Sequence, residues 1–266
     1  MDQRVFKVLT QLKLSNVMLM RLEDVETEAL LTAKPDRAMN EYCWTVTPFT
    51  PRFVFDADPT VTRATYLDAD LWFMDKPDTI FDELNQSGKQ VLITEHAYSP
   101  ECDESAASGI YCVQFMSFTR EGGEHVRQWW QDRCIEWCYN RFEDGKFGDQ
   151  KYLDDWPSRF ANDVHVLQQK QAMLAPWNIS RFDSNQGIVW HFQALRLQQR
   201  GNKYFVDFGS YKFPTKVLLK VYAPYVEDLR EAVRQMLTVD EQLRPQGAAS
   251  WKRRLKGLFV KTGNYI

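Results

Sequence analysis

Thr65-Tyr66-Leu67-Asp68-Ala69-Asp70-Leu71-Trp72-Phe73 is the stretch on which the fold and the chemistry turn. Two carboxylates two residues apart close one short apolar run and open another. In an extended segment, residues i and i+2 point to the same side, so both carboxylates could reach one hard divalent cation. Mg²⁺ and Mn²⁺ favour carboxylate, water and phosphate oxygens. Such a pair is a platform for a nucleoside-diphosphate group. An Asp-x-Asp also arises by chance with roughly even odds in a chain of this length and acidity, and Asp56-Ala57-Asp58 is a second copy. Pro59-Thr60 after Asp58 reads as a surface turn. Thr-Tyr-Leu before Asp68 suits a buried strand, and ligands of open α/β sheets bind at the carboxyl ends of strands.

Working outward, strands and helices alternate, which predicts an α/β fold with a mixed sheet flanked by helices. Val91 to Thr94, Ile110 to Phe118, Val164 to Leu167 and Ile188 to Phe192 read as strands. Pro77 to Leu84 and Glu124 to Phe142 read as helices, the second with a stripe of Val126, Trp130, Cys134, Trp137 and Cys138 suited to a core. The opening is unusual. Val5, Val8, Leu9 and Leu12 are spaced as a helix face, and Asn16 to Leu22 reads as a strand. The chain thus begins in the middle of a βα unit, lacking the strand that normally opens a nucleotide-binding domain. Glu23 to Met39 is expected to be helical. Residues 99–109 form a polar loop of the kind that serves as a lid.

The C-terminal part differs in character. Tyr225 to Leu237 is an amphipathic helix and 241–250 a linker. Residues 251–261 carry five basic side chains and no acidic ones among large apolar residues. That pattern suits peripheral contact with an anionic membrane, and it equally suits a terminal helix packed on the domain. The expected organisation is a domain over 1–200 and a helical extension over 201–266.

Composition is ordinary for a globular chain: 266 residues, 44% hydrophobic and 26% charged. A net charge of −3 offers no case for nucleic-acid binding. Five cysteines without a C-x-x-C pair, and no signal peptide, suit reduced thiols in the cytoplasm. No apolar run reaches the length of a membrane span.

Three further groups carry candidate chemistry. In Phe147-Gly148-Asp149-Gln150-Lys151-Tyr152-Leu153, Asp149 could cap the following helix or, with Gln150, face a site. His191 ends an apolar strand and is either a hydrogen-bonded structural residue or, if the fold brings it to Asp70, the third ligand of an Asp/Asp/His metal site. Leu174-Ala175-Pro176-Trp177-Asn178 presents an indole and an amide from a proline-fixed turn, which suits either a sugar or a packed loop.

The order Tyr-Leu-Asp-Ala-Asp, Gly-Asp-Gln-Lys-Tyr-Leu, Ala-Pro-Trp-Asn and His-Phe resembles the GT-A-fold nucleotide-diphospho-sugar glycosyltransferases, in particular the glycogenin and bacterial lipopolysaccharide galactosyltransferase group, over roughly residues 16–197. The resemblance implies Mn²⁺ or Mg²⁺ on Asp68, Asp70 and His191, with Asp68 also near the donor ribose. It implies Asp149 and Gln150 beside the anomeric carbon, and Trp177 and Asn178 at the acceptor or sugar. It suggests retention of anomeric configuration. The implied substrates are a nucleotide-sugar donor and a glycan or lipid-linked acceptor, in surface-polysaccharide assembly at the inner face of the membrane. The chain departs from the pattern in its missing first strand and in Gln193-Ala194 after His191-Phe192. A basic residue for the diphosphate falls at Arg196, at a different spacing. These departures keep open a non-catalytic relative that serves as a partner-binding or scaffold module. A divalent-metal phosphohydrolase is a third reading, but one that calls for more clustered carboxylates near Asp68.

Overall fold

The computed structural model describes residues 3–200, 203–242 and 263–265. The chain divides into two compact units, Glu26–His191 and a second made of Met1–Val25 with Phe192–Ile266.

The Glu26–His191 unit is a mixed α/β fold. Its main sheet has the order β1-β4-β3-β5, with β1 Arg63–Leu67, β3 Val91–Glu95, β4 Tyr111–Thr119 and β5 Val164–Val166. β4 is antiparallel to both neighbours, whereas β3 and β5 are parallel. Burial on both faces explains why β3 opens on three consecutive apolar residues, Val91, Leu92 and Ile93. Val91 and Ile93 face a cluster built on Trp130, Trp156 and Phe118, while Leu92 faces Ile80, Leu84 and Phe115. Helix Glu124–Glu136 supplies Val126, Trp130 and Cys134 to the first cluster. Helix Asp78–Ser87 supplies Ile80 and Leu84 to the second and ends on Gly88 in the left-handed conformation. A sheet covered on both faces reads in sequence as continuous apolar runs.

A second sheet of three short strands has the order β2-β7-β6, with β2 Leu71–Phe73, β6 Met173–Leu174 and β7 Val189–His191. β2 is antiparallel to β7 and β6 parallel to it. The chain therefore leaves one sheet at Leu67 and joins another at Leu71.

The other unit holds helix Gln3–Leu12, helix Ala223–Val239 and an antiparallel sheet of β8 Arg196–Arg200, β9 Lys203–Asp207 and β10 Gly263–Tyr265. Arg4 and Asp240 tie its helices with an ion pair at 2.7 Å. Phe192 stacks on Tyr225 at 3.7 Å and meets Tyr222 edge-on.

Several local expectations change. Val17–Met20 has no regular structure, and Val17 and Met18 are exposed, because an apolar tetrapeptide without a neighbouring strand has no ladder to join. No strand precedes Arg63 among the described residues. Glu23–Met39 is broken into short helices, with Pro35 in a tight turn at Lys34–Asp36. Helix Glu124–Phe142 stops at Glu136, where Trp137 turns extended. β1 is an edge strand and Leu67 is exposed, not buried. Asp58 accepts from both the N–H and the hydroxyl of Thr60, the surface turn expected of the first Asp-x-Asp. No described helix is long and apolar enough to cross a membrane. Residues 251–261 lie outside the described residues.

Candidate metal and nucleotide-sugar site

Asp68 and Asp70 stand in the turn between the two sheets rather than in a strand, and Leu71 N–H closes that turn on the Asp68 carbonyl at 3.3 Å. The register of the second sheet then brings in the third residue. Leu71 pairs directly with His191, so Asp70 lies beside the imidazole although 121 positions away in sequence. His191 Nε2 is 3.0 Å from Asp70 Oδ1 and 3.9 Å from Asp68 Oδ2. One ligand atom from each residue falls within 4.8 Å of the others, and this is the only such metal-capable group among the described residues.

Two of the three side chains, Asp68 and His191, are held from behind. Tyr66 donates its hydroxyl to Asp68 Oδ1 at 2.7 Å. Gln114, within apolar β4, accepts from His191 Nδ1 on its Oε1 at 2.7 Å. With Nδ1 so engaged, Nε2 faces the carboxylates. The His191 side chain is 7% exposed and that of Asp70 41%, so the site is closed at the imidazole and open at Asp70. Burial pushes the Asp68 carboxyl up, against the opposing pull of His191 and the Tyr66 hydroxyl. Burial, then the Asp68 charge, raises the Tyr66 phenol.

Two carboxylates and one imidazole nitrogen converging on a common point, with Asp68 and His191 oriented from behind, fit a divalent cation.

Asp149 is not the solvated helix cap that its neighbours suggested. Gln150 holds the cap position of the tight turn Lys151–Asp155, without a side-chain cap bond. Asp149 is itself buried, and its Oδ2 has no protein partner. Gly148 causes this. It adopts φ +53°, and a Cβ there would lie 3.3 Å from the Trp44 ring, so the chain turns inward as only glycine allows without strain. Burial, then the Asp68 charge, pushes the Asp149 carboxyl up to about 7.

Gln150 points elsewhere, donating Nε2 to the Ser108 carbonyl at 2.8 Å. Lys151 Nζ bonds the Ser105 carbonyl, and Asp154 Oδ1 accepts from Ile110 N–H. The segment after Asp149 thus fastens the polar loop at 99–109.

Trp177 and Asn178 are buried. Trp177 Nε1 and Asn178 Nδ2 both donate to the His96 carbonyl, and Asn178 Oδ1 accepts from Ala175 N–H. The indole lies edge-on to His191 at 5.1 Å and to His96 at 5.4 Å. His96 stacks on Tyr98 across Ala97, which is at φ 49°. Burial lowers the His96 imidazole to about 4, so it is neutral. Arg196 belongs to the other unit, exposed on β8, with Nη1 on the Leu195 carbonyl.

Sequence reasoning missed Gln114, Tyr66 and His96. Gln114 carried a signal: it is the one amide inside the run Tyr111–Thr119, and a buried amide on an otherwise apolar strand has to be partnered.

No family model matches the chain. Two Bacillus subtilis (strain 168) proteins are similar along nearly its whole length. The uncharacterized protein YfnF is 29% identical over 262 residues, covering 91% of this chain and 84% of that one. The uncharacterized protein YfnD is 29% identical over 255 residues, covering 88% and 79%. Among solved structures, a glycosyltransferase involved in the glycosylation of the major capsid of PBCV-1 is 11% identical with a TM-score of 0.43, covering 67% of this chain and 76% of that one. Mouse xyloside xylosyltransferase 1 in its apo form is 14% identical with a TM-score of 0.37, covering 62% and 70%.

Proposed function

We propose that this chain is a divalent-metal-dependent glycosyltransferase that moves a sugar from a nucleoside-diphosphate donor to a glycan or lipid-linked acceptor. The convergence of Asp68, Asp70 and His191, drawn from two sheets onto one point, carries this reading. A structural ion pair would not need two carboxylates facing one buried imidazole whose other nitrogen is already occupied. The ordered resemblance of the Asp-x-Asp, Asp-Gln and His-Phe segments to sugar-nucleotide transferases supports it.

In this reading Asp68, Asp70 and His191 would hold Mn²⁺ or Mg²⁺. The cation supplies charge neutralisation for the departing diphosphate. The chain's own residues do the rest. Tyr66 and Gln114 fix ligand orientation, so little reorganisation is needed when the donor arrives. Asp149 places a carboxylate of tunable charge in the buried part of the site, suited to a sugar that becomes positive as its bond to the diphosphate lengthens. Gln150 and Lys151 hold the 99–109 loop, which would cover the donor and exclude water. Trp177, buried edge-on against His191, and Asn178, which ties down the turn that carries it, would support the sugar or acceptor side of the site from beneath. Retention follows if the acceptor hydroxyl attacks from the face the diphosphate leaves, a route that needs no separate strong base. The setting is cytoplasmic surface-polysaccharide assembly, with 251–261 touching the inner membrane face.

The test is a thermal-shift screen of nucleoside diphosphates and nucleotide-sugars with Mn²⁺ and with chelator. A ligand at about a hundred times its dissociation constant adds about 2.7 kcal/mol, or roughly 5–10 °C at this size. A Mn²⁺-dependent shift is expected for one nucleotide base, abolished by Asp70→Ala. No Mn²⁺-dependent shift with any of them would overturn the reading.

A further inference from the structure

We propose that Gln114 is the positioning residue of the metal site, fixing which nitrogen of His191 becomes the ligand and tying the imidazole ring to Asp68; this rests on the metal-dependent reading above. One residue does both. Its backbone carbonyl accepts Asp68 N–H at 2.9 Å, and its side-chain Oε1 accepts from His191 Nδ1 at 2.7 Å. Asp68 follows a strand of one sheet and His191 ends a strand of the other. Gln114 bridges the two sheets at the point where the ligands meet.

The backbone around Gln114 is shaped for this. β3 and β4 run in register as far as Leu92 with Ser117, and pairing resumes at Thr94 with Cys112. β3 has advanced two residues and β4 five, so β4 bulges across Val113–Met116 with Gln114 inside. Bulges re-aim side chains and concentrate beside functional sites. On its other side β4 stays in register with β1, Leu67 opposite Phe115. The bulge therefore turns the Gln114 side chain without loosening the strand that carries Asp68.

The residue is a poor choice for packing alone. Gln114 is 1% exposed in a strand buried along most of its length, and its Nε2 finds no protein partner. A buried unsatisfied donor destabilises, so methionine, of like length, would pack better. Amide at this position costs stability and gains an oriented imidazole. Metal-binding histidines are commonly held through the second ring nitrogen in this way, and loss of the holding group weakens metal affinity about 10–100-fold.

The experiment compares wild type with Gln114→Met and Gln114→Glu. Long-range ¹H–¹⁵N spectra of chelator-treated protein read the His191 ring, and calorimetry reads Mn²⁺ affinity. In wild type Nδ1 carries a proton. In Gln114→Met that proton should leave Nδ1, because it has lost its acceptor, and Mn²⁺ affinity should fall about 10–100-fold while the melting temperature holds or rises. Gln114→Glu restores an acceptor, so both the Nδ1 proton and Mn²⁺ affinity should return. An unprotonated Nδ1 in wild type, or Mn²⁺ affinity unchanged in Gln114→Met, would overturn the proposal. Wild type that shows the Nδ1 proton and its loss in Gln114→Met, yet binds no Mn²⁺, would overturn the metal-dependent function and leave Gln114 as the group that orients His191. If Gln114→Met does not fold, a Gln114→Glu variant lacking the Nδ1 proton overturns the proposal by itself.

Discussion

Removing the buried charge of Asp149 should expose a pH dependence of stability that wild type conceals. The folded protein holds the Asp149 carboxyl at about 7 against an ordinary 3.8. Between those values the folded state keeps a proton that the unfolded state has lost, so stability falls as pH rises. At about 1.4 kcal/mol per pH unit the full effect is about 4 kcal/mol. His96 works the other way. It is held at about 4 against an ordinary 6.5, so over that range the unfolded state binds the extra proton and stability rises with pH, by about 3 kcal/mol in all. From about pH 4 to 6.5 the two slopes oppose and nearly cancel, leaving about 1 kcal/mol from the pair. Asp68, also raised by burial, adds to the falling side.

Asp149→Asn should therefore uncover a rising profile between about pH 4 and 6.5. It should also be more stable than wild type above pH 7, by up to about 4 kcal/mol. His96→Phe, which keeps the stack on Tyr98, should uncover a falling profile. The assay is urea denaturation followed by tryptophan fluorescence at a series of pH values, in chelator so that no cation compensates the carboxylates. Profiles of both variants parallel to wild type would refute the reasoning, since neither group would then titrate differently on folding.

Asp70→Asn should abolish Mn²⁺-dependent stabilisation by nucleotide while changing the melting temperature of the free protein little, because the side chain is well exposed; a differential melting scan with and without Mn²⁺ checks it. Gln150→Ala should free the Ser108 carbonyl and raise amide exchange across 105–110, read by mass spectrometry, with exchange in β3 unchanged. Gly109→Ala places a Cβ at φ +106° and 3.1 Å from Asp154 Oδ1. It should cost about 1–3 kcal/mol by urea denaturation and loosen the same loop; a neutral effect would show that the loop is not held through Asp154.

What the sequence disclosed follows from the range of the interactions involved. β3, β4, β5 and β7 were legible because buried strands read as short, mostly apolar runs. The Asp-x-Asp and His191 were legible as residue types, and their order along the chain made the site thinkable. Their meeting was not, because it depends on Leu71 pairing with His191, a register that no local pattern records. Val17–Met20 misled for the complementary reason: apolar content without a partner strand has nowhere to hydrogen-bond. Asp149 misled because glycine-then-Asp before a helical turn is also the pattern of a cap. Only φ at Gly148 decides whether the carboxylate faces solvent or core.

Gln114 shows where this limit falls. A glutamine in an apolar strand announces a buried hydrogen bond, but its partner lies 77 residues away on a strand of another sheet. Finding it required the bulge between Leu92 and Thr94, which exists only once β3, β4 and β1 are paired. The same pairing that sets Asp68 at the end of β1 turns Gln114 toward His191, so Asp68 and the support of the imidazole follow from one register, while Asp70 meets His191 through the pairing of β2 with β7. A substitution that shifts β4 by one residue should therefore remove both ligand contacts together. Loss of Mn²⁺ affinity with the Nδ1 proton intact would mean that the two contacts are set independently.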